Sequence, residues 1–101
     1  MHKIKAVYLS GFLAKIRGLI GFQKPYAVFF HTRFGLHTFG LKFPIDVVIL
    51  NREYRVVRSV SNLSPNRIYF WPLSYDAVLE LPEGEINRLQ IKDGSLIKLN
   101  L

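Results

Sequence analysis

The run from Pro44 to Leu50, PIDVVIL, constrains this chain more than any other stretch. Val47, Val48 and Ile49 are β-branched and follow one another without polar interruption, which fits a strand covered on both faces better than one with a wet side. Such a strand belongs at the centre of a sheet. Pro44 has no N–H to give to a ladder, so it marks the strand entrance and biases Phe43 toward an extended conformation. Asp46 then stands at the mouth of a buried strand. Its carboxylate must be solvated at the rim, or held by a cation or by backbone donors, because burying it alone costs several kcal/mol.

Just upstream, His37 and Thr38 interrupt an apolar run, with Gly35 and Gly40 to either side. Glycines in such places suit sharp turns or close approach of another group. One reading is a hairpin strand whose His37 is satisfied by a carbonyl. The other puts His37, Thr38 and Asp46 at one end of adjacent strands, converging on a cleft.

A length of 101 residues suits one domain, residues 1–101, with a single core and no staples. Half the residues are apolar and 21% are charged, so the chain is globular rather than disordered. It has no cysteine, which excludes disulfides, thiolate chemistry and cysteine-based metal sites. Lys3 and Lys5 before the apolar run Ala6–Ala14 superficially suggest a secretion signal, but no small-x-small cleavage pattern follows. With no run of the roughly 20 apolar residues that cross a bilayer, the expectation is a soluble, cytoplasmic protein without a membrane partner.

Charge is unevenly distributed. Residues 1–45 hold Lys3, Lys5, Lys15, Arg17, Lys24, Arg33 and Lys42 and no acid, whereas basic and acidic groups cancel beyond them, so the net +7 comes from the N-terminal portion. If those side chains share a face, they attract phosphates, nucleic acid or an acidic protein; if they scatter, they provide solubility.

Alternation predicts a strand over Lys3–Tyr8 with the two lysines guarding an edge. Ser10 is placed to cap a helix whose stripe is Phe12, Leu13, Ile16, Leu19 and Ile20, ended by Gly21. Strands are expected at Ala27–His31 and Tyr54–Ser61, the latter bulged at Val56–Val57 after a turn at Asn51–Glu53. Ile68–Pro72 is the densest aromatic stretch; its rings close the core or a subunit contact, or stack a base beside Arg67. Tyr75–Leu81 alternates as a half-buried strand with Glu80 exposed or paired at its far end. Pro82 suits the first turn of a second helix reaching Leu89. Lys92-Asp93-Gly94 then turns into a final strand in which Ile97, Leu99 and Leu101 alternate with polar residues. The fold class is α+β, mostly antiparallel β, with a small barrel-like or strongly curved sheet and two short helices.

Arg17 is a candidate structural tie, its guanidinium pairing with Asp46 or Glu80, or else an anion-binding group on the cleft wall. His2, His31 and His37 are spaced like no familiar metal motif. A site built by His31, His37 and Asp46 would need convergence by the fold alone, so neither a metal nor a cofactor is expected.

Several segments resemble one family. Arg17-Gly18-Leu19-Ile20-Gly21, His37-Thr38-Phe39-Gly40-Leu41, Phe43-Pro44-Ile45-Asp46-Val47-Val48, Val78-Leu79-Glu80-Leu81-Pro82-Glu83-Gly84 and Lys92-Asp93-Gly94 are similar, in order, to blocks of the domain of unknown function 192 family. Ile20 and Leu41 stand where members carry methionine, Asn51 where Asp is common, and Asp93-Gly94 inverts the usual pair. The resemblance implies a small mixed, mostly β fold and assigns no activity.

Three function classes follow. The first is a small-molecule or anion-binding module with a polar cleft near His37 and Asp46, bordered by Arg17 and Thr38, with Arg67 or Trp71 nearby. The second is a basic interaction surface for nucleic acid or an acidic protein. The third is a hydrolase-type enzyme in which Asp46 orients His37 as base, although the chain has no serine elbow or phosphate loop. Oligomeric state is not encoded in any of these features.

Overall fold

The computed structural model describes residues 2–9, 27–33 and 35–101. The expected helix from Ser10 to Gly21, and with it Arg17, lies outside the described residues. Those described are mostly β, with one short helix.

The strands are β1 (His2–Lys5), β2 (Val7–Tyr8), β3 (Val28–His31), β4 (Gly35–His37), β5 (Ile45–Leu50), β6 (Val56–Leu63), β7 (Ile68–Phe70), β8 (Ala77–Pro82) and β9 (Ile97–Asn100); α1 spans Glu85–Leu89. Five strands form one sheet in the order β2-β3-β8-β5-β6, while β1 pairs with β9 and β4 with β7 in two-stranded sheets. These sheets are not closed into a barrel, contrary to the barrel-like form expected from sequence. Short flanking strands cover the faces of the large sheet instead.

Alternation along the central strands divides the core in two. Val48, Leu50, Leu79 and Leu81 pack with Ile4, Ile86 and Ile97, so β1, β9 and α1 cover one face. Val47, Ile49 and Val78 pack with Trp71 and Leu41, and Leu36 and Tyr69 lie against them, so β4 and β7 cover the other. Covering on both sides is what the uninterrupted VVI run predicts, and every residue of β5 is buried.

The same covering corrects the reading of β8. Glu80 stands in register between Val28 and Val47, on the face whose core holds both of them beneath Trp71, and is 5% exposed. Burial raises the Glu80 carboxyl from its ordinary 4.5 to about 7, and its Oε1 has no hydrogen-bond partner among the described residues.

Two other departures have local causes. The expected N-terminal strand splits at Ala6, where the chain leaves its parallel partner β9 for β3. Pro82 ends β8 rather than opening a helix; Gly84, at φ 92°, turns the chain first, and α1 begins one residue later. The bulge expected at Val56–Val57 is present, since Leu50 faces Val56 while Ile49 faces Arg58. A second irregularity in β6, between the partners of Ile45 and Val47, contains Asn62 in the left-handed region at φ 57°.

Candidate functional site

Asp46 is fully buried at the start of β5. Its Oδ1 accepts a hydrogen bond from the Asn62 amide at 2.9 Å, and its Oδ2 accepts one from the Ile86 amide at 2.9 Å. The first amide belongs to the bulged end of β6 and the second to the first turn of α1. Because Gly84 offers no side-chain cap, Asp46 supplies from another strand the acceptor that a helix N-terminus requires. Of the possibilities open to a carboxylate at this position, backbone donors hold it.

Thr38 is also fully buried. Its Oγ1 accepts from the Arg67 amide at 2.8 Å and donates to the Ser64 carbonyl at 2.7 Å, tying the segment after β4 to the one before β7. Thr38 and Arg67 are therefore brought together, through the Arg67 backbone. His37 is exposed; its Nδ1 accepts from the Phe39 amide at 3.2 Å and its ring stacks on Phe39, with centroids 5.2 Å apart. Trp71 is 4% exposed, and its indole N–H donates to the Tyr75 carbonyl at 2.8 Å. Neither oxygen of Asp46 is engaged by His37, Thr38, Arg67 or Trp71.

A cleft of about 660 Å³ lies at the other end of β5, four residues or about 13 Å along the strand from Asp46. Leu50 and Ala77 are at its floor, and its polar groups include His31, Arg33, Arg52, Glu53 and Asp76. His31 ends β3 and Asp76 immediately precedes β8, so the antiparallel pairing of those strands sets them side by side. His31 Nδ1 lies 3.5 Å from Asp76 Oδ1, and the imidazole edge packs on Phe29, centroids 5.2 Å apart. The ring is thus held by an apolar neighbour and a carboxylate together.

The opposite wall is the β5–β6 turn. Asn51 Oδ1 accepts from the amides of Glu53 and Arg55, at 2.9 and 3.0 Å, which fixes the loop carrying Arg52. Tyr54 completes the turn at φ 61°, a left-handed conformation that a bulky residue adopts at a cost of about 1–2 kcal/mol. Arg33 donates to the Leu73 carbonyl at 3.0 Å. A guanidinium carries five N–H donors, so that bond leaves capacity for a ligand.

The two arginines face a cleft that also holds Glu53 and Asp76. Its chemistry is mixed: donors for an anionic group beside acceptors for hydroxyls or amines. Sequence reading missed this set. The signal was present in three polar clusters, His31-Thr32-Arg33, Asn51-Arg52-Glu53 and Ser74-Tyr75-Asp76, each at a strand end where clefts of sheet proteins form.

Among the described residues, no group of three or more His, Asp or Glu side chains could hold a metal ion. Among them, too, no helix is long and apolar enough to cross a membrane.

Comparison with known proteins agrees with this architecture. The family model DUF192, described as "Uncharacterized ACR", matches residues 6–99. A crystal structure of a protein of unknown function from Novosphingobium aromaticivorans superposes with a TM-score of 0.78 at 19% identity, over 88% of this chain and 70% of that one. A Sinorhizobium meliloti structure, described as a "putative transcription regulator", gives 0.80 at 16% identity, over 88% and 76%. At such identities the likeness is one of fold. No curated protein matches the chain.

Proposed function

The chain belongs to the DUF192 family, and on the geometry of its own cleft we propose that it is a binding module for a small polar anion bearing hydroxyl or amine donors, of the sugar-phosphate or hydroxy-acid kind. The observation that carries this reading is the juxtaposition of Arg33, Arg52 and the His31–Asp76 pair around one open cleft. Arg52 and Arg33 meet the anionic group, as guanidinium forks do for phosphate and carboxylate. Asp76 and Glu53 accept from the ligand's hydroxyls or amines. Tyr54, strained and half-exposed beside them, offers a flat wall, and such strain is concentrated at ligand sites.

On this proposal the module's site lies at the far end of β5 from the one expected near His37 and Asp46. The hydrolase reading gains no support, since the oxygens of Asp46 accept backbone amides and His37 Nδ1 accepts its neighbour's.

Calorimetric titration with a pentose phosphate, the free pentose and inorganic phosphate, at constant ionic strength, tests the proposal. The pentose phosphate is expected to bind most tightly, and Arg52→Ala to weaken it about 10- to 100-fold, as removal of a hydrogen bond to a charged group does. Equal affinity in wild type and variant, or no binding of any of the three, overturns it.

A further inference from the structure

A second surface, separate from the cleft, has a different composition. In the β4–β7 pair, Gly35 faces Phe70, Leu36 faces Tyr69 and His37 faces Ile68. Because side chains alternate, Leu36 and Tyr69 turn inward to the core, and Gly35, His37, Ile68 and Phe70 share the outward face. That face is unusually apolar for one in contact with water. Ile68 is 54% and Phe70 59% exposed, and Phe39, stacked on His37, is 46% exposed. A Cβ at Gly35 would come within 2.6 Å of Phe70 Cδ1, so the glycine is what lets the Phe70 ring lie against the sheet.

The segments that carry these rings are basic, with Asp93 within electrostatic reach of the neighbouring Tyr69. The two stretches that build the face, residues 33–43 and 64–73, contain Arg33, Lys42 and Arg67 and no acid. Lys42 and Arg67 are exposed. We propose that this face binds single-stranded nucleic acid, with a base stacked on the Phe39–His37 pair and phosphates met by Arg67 and Lys42. Exposed rings bordered by cations are the pairing that single-strand binders use, and a net charge of +7 favours the approach of a polyanion. A second copy of the chain is a poorer occupant. A two-fold contact through this face would set Arg67 and Lys42 of the two copies against one another.

The test is fluorescence anisotropy with a labelled oligothymidylate about ten nucleotides long. Wild type is expected to bind, with affinity falling as salt rises. Phe39→Ala is expected to weaken binding about 5- to 150-fold, the loss of one stacked base. Arg67→Ala should weaken it and flatten the salt dependence by about 0.7 in the logarithmic slope. Heparin, which has charge but no bases, separates the two contributions: its binding should respond to Arg67→Ala and not to Phe39→Ala. Circular dichroism of each variant checks that it is folded. No binding at low salt overturns the proposal, as does oligonucleotide binding that Phe39→Ala leaves unchanged, which would reduce the surface to a plain polyanion attractor.

Discussion

Asp46→Asn is the substitution whose effect follows most directly from the geometry. The aspartate gives one oxygen to the Asn62 amide and the other to the Ile86 amide, both at 2.9 Å, in a site with no exposure. Asparagine has the same shape but one oxygen. Its NH2 group would face a backbone N–H, donor against donor. One hydrogen bond to a charged group, worth about 1.5–3 kcal/mol, is lost, and a buried amide is left unsatisfied at a cost of about 1–3 kcal/mol. Because these terms overlap, we expect a net loss of about 2–4 kcal/mol. A domain of this size shifts by roughly 5 °C per kcal/mol, so the melting temperature should fall by about 10–20 °C. Urea unfolding followed by the fluorescence of Trp71, the only tryptophan, measures the energy, with a lowered midpoint and an unchanged slope expected. Native-state hydrogen exchange locates the loss, because the Asn62 and Ile86 amides should lose protection before the centre of β5 does. A variant within about 0.5 kcal/mol of wild type, the range of ordinary surface changes, would refute the view that Asp46 fastens β6 and α1 to the central sheet.

The remaining predictions concern the other buried polar groups. Glu80 keeps its proton in the folded chain up to about pH 7 and releases it near 4.5 when unfolded, so the folded state binds more protons between those values and stability falls as pH rises across them. The loss is about 3 kcal/mol; unfolding of wild type and Glu80→Gln at pH 5 and pH 8 should show it in the difference between the two proteins. A pH-independent difference would mean that a cation holds Glu80 ionised, the tie expected of Arg17. Thr38→Val keeps the shape of the side chain but removes the acceptor for the Arg67 amide, and should cost about 1–3 kcal/mol. Denaturant unfolding within 0.5 kcal/mol of wild type would contradict that role.

The legible parts of the fold were those set by local chemistry. The VVI run announced a doubly covered strand, Val56–Val57 a bulge and Lys92-Asp93-Gly94 a turn, and Gly94 indeed adopts φ 89°. Glu80 was misread because its alternation with apolar neighbours looks the same whether the second face meets water or another layer; only the packing of β4 and β7 over Val28, Val47 and Val78 separates the cases. The flanking pairs β1–β9 and β4–β7 join segments distant in sequence, and no local pattern records them. Asp46 was singled out correctly as a carboxylate needing partners, yet its partners are backbone amides, which every residue except proline carries and no sequence marks. The His31–Asp76 pair was invisible for a related reason: the residues come from strands β3 and β8, brought together by antiparallel register alone.

Amide chemical-shift mapping by NMR during titration with a pentose phosphate bears most directly on where this protein meets a small ligand. Shifts concentrated at His31, Arg52 to Tyr54 and Ser74 to Asp76 are the predicted result. Shifts concentrated instead at His37 to Phe39 and Arg67, or none at all, would contradict it.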